Sequence, residues 1–295
     1  MPITVTPMLG APENFAARVT GIDIRQPARP EEIAAIEAAI ARHGVLVFPG
    51  QDITDEQQAE FSRQFGPLEQ ATGDLTPPEK RRISMTLNDI SNLDKDGRVL
   101  ARDDKRRLFA LGNMLWHSDS SFKEAPARYS LLSARKIPGE GGNTEFADMR
   151  AAYDALDEKT RREIEDMVTE HSQIYSRGQL GFADFTEEER AQCVPVRQRL
   201  VRRHPISGRK SLFLSAHIGA IEGMPVPEAR MLVRDLTEHA TQREFVYAHV
   251  WQPHDLVMWD NRCTMHRARR YDSTQVRDMR RTTVSDEVST LARVA

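Results

Sequence analysis

The chain has 295 residues, 39% of them hydrophobic and 29% charged, with a formal net charge of −3. That balance reads as a soluble globular protein long enough to bury a full core. A pI near 6.3 excludes a binder driven by phosphate-backbone charge, since the cationic stretch 267–281 is broken by Asp272 and Asp278. No apolar run approaches the length that spans a bilayer. Residues 1–7 lack the basic and apolar regions of a secretory leader, and Cys193 and Cys263 are too few for a disulfide framework or a cysteine-based zinc site. The expected setting is the cytoplasm, with neither nucleic acid nor membrane as a partner.

Ile33, Ile36 and Ile40 follow Pro30 at helical spacing, and Gly44 is placed to stop the helix after residue 43. Val45-Leu46-Val47-Phe48 then reads as a buried strand closed by Pro49-Gly50. Thr54 with Gln57 three residues on forms a capping box for a helix carrying Phe61 and Phe65, ended by Gly66. Residues 68–112 are polar and turn-rich, with Pro77-Pro78 and Asp96-Gly97, and predict a long irregular lid-like loop. Strand signals return at 127–135 and 143–148, and charged helices are expected at 149–156 and 158–171. Further strands are expected at 211–216, 244–251, 255–260 and 279–285, with a helix at 227–240. Many short strands with helices outside them predict a mainly β fold with peripheral helices, a double-stranded β-helix of the jelly-roll, cupin-like kind. No boundary divides the chain, so 1–295 is expected to form one domain.

The chemistry concentrates in Trp116-His117-Ser118-Asp119 and in His266 far downstream. On an extended strand, His117 and Asp119 would point to one face. Two such ligands with a distant histidine make the two-His-one-carboxylate triad, which holds Fe(II) and leaves positions open for a bidentate cosubstrate and O2. With nine histidines in the chain, one His-x-Asp is weak evidence by itself. What adds to it is the stretch after His266, where Arg277 and Arg281 stand eleven and fifteen residues on. Arginine suits the grip of a carboxylate because its planar fork is permanently charged. The even spacing of Arg277 and Arg281 would turn both toward one face of a strand.

The segments 113–122, 148–156, 238–247 and 256–262 resemble the taurine/2,4-D dioxygenases, which depend on Fe(II) and 2-oxoglutarate. The likeness runs from about Gly21 to Ser285 and is greatest to the 2,4-dichlorophenoxyacetate branch. It implies His117, Asp119 and His266 as iron ligands, and Thr144 and Arg277 as the residues holding 2-oxoglutarate. It also implies Arg281 at the substrate's acid group and Asn113 on the substrate pocket. The cofactors so implied are Fe(II), 2-oxoglutarate and O2. The partners expected are a small anionic substrate and further copies of the same chain in a homo-oligomer.

The implied reaction hydroxylates an aryloxyalkanoate next to its ether oxygen, giving a phenol and glyoxylate with succinate and CO2. The alternatives are the same chemistry on a sulfonate or alkyl sulfate, a non-catalytic cupin-like metal-binding protein, or a zinc hydrolase on the same triad. One departure bears on the substrate: residues 70–75 carry no cation, where the resembled branch has a basic residue near the substrate carboxylate. His204 and His217 match histidines of that branch, with a structural role as the plainer reading of each. Lys95 and Arg98 are candidates for extra positive charge, or else solvated loop residues.

Overall fold

The computed structural model describes residues 2–71 and 81–292. A hairpin of β1 (Thr4–Pro7) and β2 (Ala17–Thr20) leads into α1 (Pro30–His43) and β3 (Val45–Phe48). The helix begins where Glu32 accepts the Arg29 N–H at 2.8 Å and stops at Gly44, whose φ of 68° is left-handed. A side chain there would be strained by that φ and crowded as well, since a Cβ would stand 3.1 Å from Phe15. Next is α2 (Asp55–Arg63), started by the expected reciprocal cap of Thr54 and Gln57.

The segment 68–112 differs from the expected irregular loop. It contains β4 (Asn88–Asp89) and α3 (Lys105–Ala110), and a 3-10 turn, Leu111–Met114, continues from it. Asp104 caps α3 by accepting the Arg106 N–H, a start signal hidden in a polar stretch. Pro77 and Pro78 lie outside the described residues, as do Thr72 to Leu75; Gln70 and Ala71 are described.

β5 (Ala127–Lys136), β6 (Thr144–Asp148) and α4 (Met149–Asp154) follow as expected. The helix expected over 158–171 is shorter. α5 (Glu158–Ile164) ends early, and β7 (Val168–His171) takes the rest, because Thr169 and His171 turn inward in alternation. α6 (Gln173–Gly178), α7 (Glu187–Gln192), β8 (Val196–Arg199) and β9 (Val201–Arg203) fill a stretch that carried no clear periodicity. The strand expected at 211–216 is only β10 (Lys210–Leu212), and β11 (Ile218–Ile221) lies beyond it. α8 (Val226–Ala240), β12 (Val246–His249), β13 (Leu256–Asp260), β14 (Thr264–Ala268) and β15 (Asp278–Ser285) complete the described chain. β14 was not anticipated.

The strands form a seven-stranded sheet ordered β1-β2-β3-β13-β5-β15-β4, two three-stranded sheets, β12-β6-β14 and β11-β7-β8, and the pair β10-β9. The centre of the large sheet is buried on both faces. Leu46, Phe48, Leu256 and Met258 pack with Ile36, Ile40 and Phe61 of α1 and α2. Val45, Val47, Val257 and Trp259 pack on the opposite side with Phe146 of β6 and Tyr247 of β12. Burial on both faces explains the unbroken apolar runs of β3 and β13. No helix among the described residues is long and apolar enough to cross a membrane.

Candidate active site

His266 sits on β14, and the turn before β14 is held by charge. Asp260 accepts two bonds from the Arg262 guanidinium, at 2.9 and 2.6 Å, and lies 2.9 Å from His204 Nε2. His204 is therefore a structural partner of that turn. Asp260, His204 and Cys263 lie close enough together to resemble a metal group, but the aspartate's oxygens are already taken by Arg262 and His204.

His117 comes to His266 through the backbone. The two residues exchange N–H···O bonds of 3.0 and 2.9 Å, forming an isolated bridge between Trp116-His117 and β14. This corrects the strand expected for His117-Ser118-Asp119. His117 is a single bridged residue, the chain turns at Asp119, and Ser120 has a positive φ of 51°. The side chains still converge. Nε2 of His117 and Nε2 of His266 each lie 3.8 Å from an Asp119 oxygen, and one ligand atom from each residue falls within 4.8 Å of the others. Such separations are too long for hydrogen bonds and short enough to share one cation.

The donor set suits a divalent metal. His117 Nδ1 is 2.8 Å from the Leu115 carbonyl, which places the proton on Nδ1 and leaves the Nε2 lone pair facing the gap. Burial lowers the pKa of His117, and that of His266 well below its ordinary value, so both rings are neutral at pH 7, the form a metal would need. Burial alone would raise the Asp119 carboxyl. The Arg281 charge, with His266, His117 and the Ser130 hydroxyl, outweighs it and holds the group at about 2. Arg281 Nη1 donates to Asp119 Oδ1 at 2.5 Å, and Ser130 Oγ donates to Oδ2 at 2.7 Å. Asn261 supports the arrangement from behind. Its Nδ2 donates to Ser130 Oγ at 3.0 Å, and its Oδ1 accepts the Asp119 N–H at 3.1 Å.

His117 and Asp119 open into a cavity also lined by Asn113, Phe109, Phe122, His217, Arg177 and Arg281. The His217 ring stands edge-on to Phe122 and His117, at 4.9 and 6.0 Å between centroids. Its Nδ1 is buried without a partner. Lys95 and Arg98 are exposed and lie away from this wall.

Thr144 and Arg277 share a second neighbourhood. Thr144 Oγ1 accepts the Trp251 indole N–H at 3.0 Å. Gly142, two residues earlier, lies against Arg277, where a Cβ would be 3.6 Å from Nε. Arg277 is buried over the Tyr271 ring at 5.6 Å, with Nη1 bonded to the Ile90 carbonyl. No acidic partner is seen for it among the described residues. β15 begins only at Asp278, with a register irregularity at Asp278/Met279, so strand alternation does not extend to Arg277. Arg280 turns away to Asp55 and Asp278, which leaves Arg281 as the inward residue. Ser130 and Arg177 escaped the sequence reading, because nothing local marks a serine on an apolar strand or one arginine in a short polar helix.

Comparison with known proteins agrees with this geometry. The family model for "Taurine catabolism dioxygenase TauD, TfdA family" matches residues 4–283. The chain is 49% identical to an alpha-ketoglutarate-dependent 2,4-dichlorophenoxyacetate dioxygenase of Cupriavidus pinatubonensis, covering 92% of this chain and 95% of that enzyme. It is 38% identical to an (S)-phenoxypropionate/alpha-ketoglutarate-dioxygenase of Sphingobium herbicidovorans, over 90% of each. The crystal structure of AAD-2 with Mn(II) and N-oxalylglycine superposes with a TM-score of 0.95 at 57% identity, covering 98% of this chain and 100% of that one. A buried two-His-one-carboxylate site and similarity along nearly the whole chain lead to one conclusion: the chain belongs to the taurine catabolism dioxygenase TauD, TfdA family.

Proposed function

We propose that this Fe(II)- and 2-oxoglutarate-dependent dioxygenase hydroxylates an aryloxyalkanoate, of the 2,4-dichlorophenoxyacetate type, at the carbon next to the ether oxygen. The observation that carries the reading is the buried His117–Asp119–His266 set opening into a cavity with aromatic and cationic walls. His117, Asp119 and His266 hold the metal. Thr144 and Arg277 take the far carboxylate of 2-oxoglutarate, which would neutralise a buried guanidinium that burial has pushed down to about 10. Arg281 braces Asp119 and faces the substrate's acid group, and Asn113 lines the substrate side of the cavity. Bound iron with 2-oxoglutarate and O2 supplies the oxidising power that replaces a substrate C–H with C–OH.

One oxygen atom of O2 goes to the substrate and the other to succinate, with loss of CO2. The product is a hemiacetal. Its bond to the aryl oxygen breaks as the hydroxyl proton is lost, giving a phenol and glyoxylate. The protein's part is to hold the reacting carbon within a few ångströms of the metal and to keep bulk water out. The large sheet draws its strands from β1 to β15 and faces the β12-β6-β14 sheet across Phe146 and Trp259. Both features support a double-stranded β-helix built as one domain.

A substrate panel tests this reading. With Fe(II), 2-oxoglutarate and O2, phenoxyacetate or one 2-phenoxypropionate enantiomer should release phenol and succinate in equal amounts. Release of sulfite from taurine, or of sulfate from an alkyl sulfate, with no phenol formed, would replace the aryloxyalkanoate by a sulfonate or sulfate ester.

A further inference from the structure

The cavity wall holds a buried charge that no carboxylate in the described protein neutralises. Arg177, on α6, is 6% exposed and lines the cavity with His117, His217 and Arg281. Its Nη1 donates to Ser176 Oγ at 3.0 Å, its Nε is buried without a partner, and no acidic group pairs with it among the described residues. Other cations on the same wall are paired: Arg82 with Asp89 and Asp278, Arg106 with Asp104, and Arg281 with Asp119.

Packing holds the Arg177 guanidinium in place. Its central carbon lies 4.2 Å over the Phe109 ring. Gly112 approaches so closely that a Cβ there would be 2.5 Å from Cζ. An unpaired buried cation opposes folding unless something else returns the lost solvation. Burial pushes the group down to about 10, so it stays charged at pH 7. Arg177 and Arg277 are thus two buried cations for which no acidic partner is seen among the described residues, and the proposed reaction binds two anions.

We propose that Arg177 is a further specificity-determining residue that receives the carboxylate of the substrate beside Arg281, whose Nη1 is also bound to Asp119. The proposal rests on the aryloxyalkanoate reading for the identity of the anion. Its chemistry is a planar, largely buried fork meeting a planar carboxylate.

Anaerobic calorimetric titration of the Mn(II)- and 2-oxoglutarate-loaded enzyme with phenoxyacetate, neutral 2-phenoxyethanol and hexyl sulfate tests it. The parent should bind phenoxyacetate well ahead of the alcohol. Arg177→Met should weaken phenoxyacetate by about 30- to 100-fold and the alcohol by less than about 3-fold, with Arg177→Lys in between. Gly112→Ala keeps the charge but displaces it, so it should move affinity the same way and serves if Arg177→Met does not fold. The proposal is overturned if Arg177→Met binds phenoxyacetate like the parent, or if acid and alcohol weaken equally. A parent that binds hexyl sulfate and not phenoxyacetate, with the sulfate lost in Arg177→Met, keeps Arg177 as the anion anchor and removes the aryloxyalkanoate.

Discussion

Arg281 Nη1 lies 2.5 Å from Oδ1 of Asp119, so the one anionic member of the triad has a permanent cationic partner. The contact joins residues 162 positions apart and holds the carboxylate ionised against the cost of burial. Removing an outer partner of a metal ligand typically weakens metal binding by about 10- to 100-fold. Arg281→Met should show a loss of that size in Mn(II) competition against a chelator. Unchanged affinity would show that Ser130 and Asn261 orient Asp119 without it.

On the proposed coordination, replacing His117, Asp119 or His266 by Ala removes a direct ligand from a buried site. Metal content after loading should fall to background while the far-ultraviolet circular dichroism stays that of the parent. A variant that retains stoichiometric metal would remove that residue from the coordination set.

Arg277→Ala should raise the apparent KM for 2-oxoglutarate by roughly 10- to 100-fold, the scale of one hydrogen-bonded charge interaction. It should lower the melting temperature of the unloaded enzyme only modestly, since the guanidinium loses its bond to the Ile90 carbonyl and its packing on Tyr271 but no acidic partner among the described residues. An unchanged KM moves the cosubstrate role to another residue.

Stability should fall as the medium is acidified below pH 6.5, and His171 is one cause. The ring is stacked on Phe213, its Nε2 is 2.8 Å from the Thr169 hydroxyl, and burial, with Arg202, pushes it down to about 3. The folded chain refuses a proton that the unfolded chain accepts below about 6.5. The stabilisation is therefore complete above that pH and is lost as pH falls toward 3. Each pH unit is worth about 1.4 kcal/mol, so His171 alone accounts for roughly 2 kcal/mol between pH 7 and 5. In His171→Phe the Thr169 hydroxyl keeps its bond to the Gln198 carbonyl. Urea unfolding should then show a loss smaller than the parent's by about that amount. Equal losses in both proteins would locate the acid sensitivity elsewhere.

Much of this protein was legible in one dimension. Helix α1 follows from isoleucine spacing between a proline start and a glycine stop, and α2 from a side chain bonding three residues along; both are local effects. The runs in β3 and β13 are apolar because both faces of their sheet are covered. His117, Asp119 and His266 stood out as candidate ligands because His-x-Asp, a distant His and two arginines lie in segments that resemble a known dioxygenase family. Tertiary structure decided the rest. β14 became a strand through pairing with β6, and β7 through neighbours that bury Thr169 and His171. His117 and His266, 149 positions apart, meet through a bridge that no local pattern encodes. Arg281 rather than Arg280 faces the site because Asp55 and Asp278 hold Arg280 on the other side. Arg177 stands out only because no carboxylate among the described residues pairs with it, and whether a buried charge has a partner depends on contacts between residues far apart in the chain.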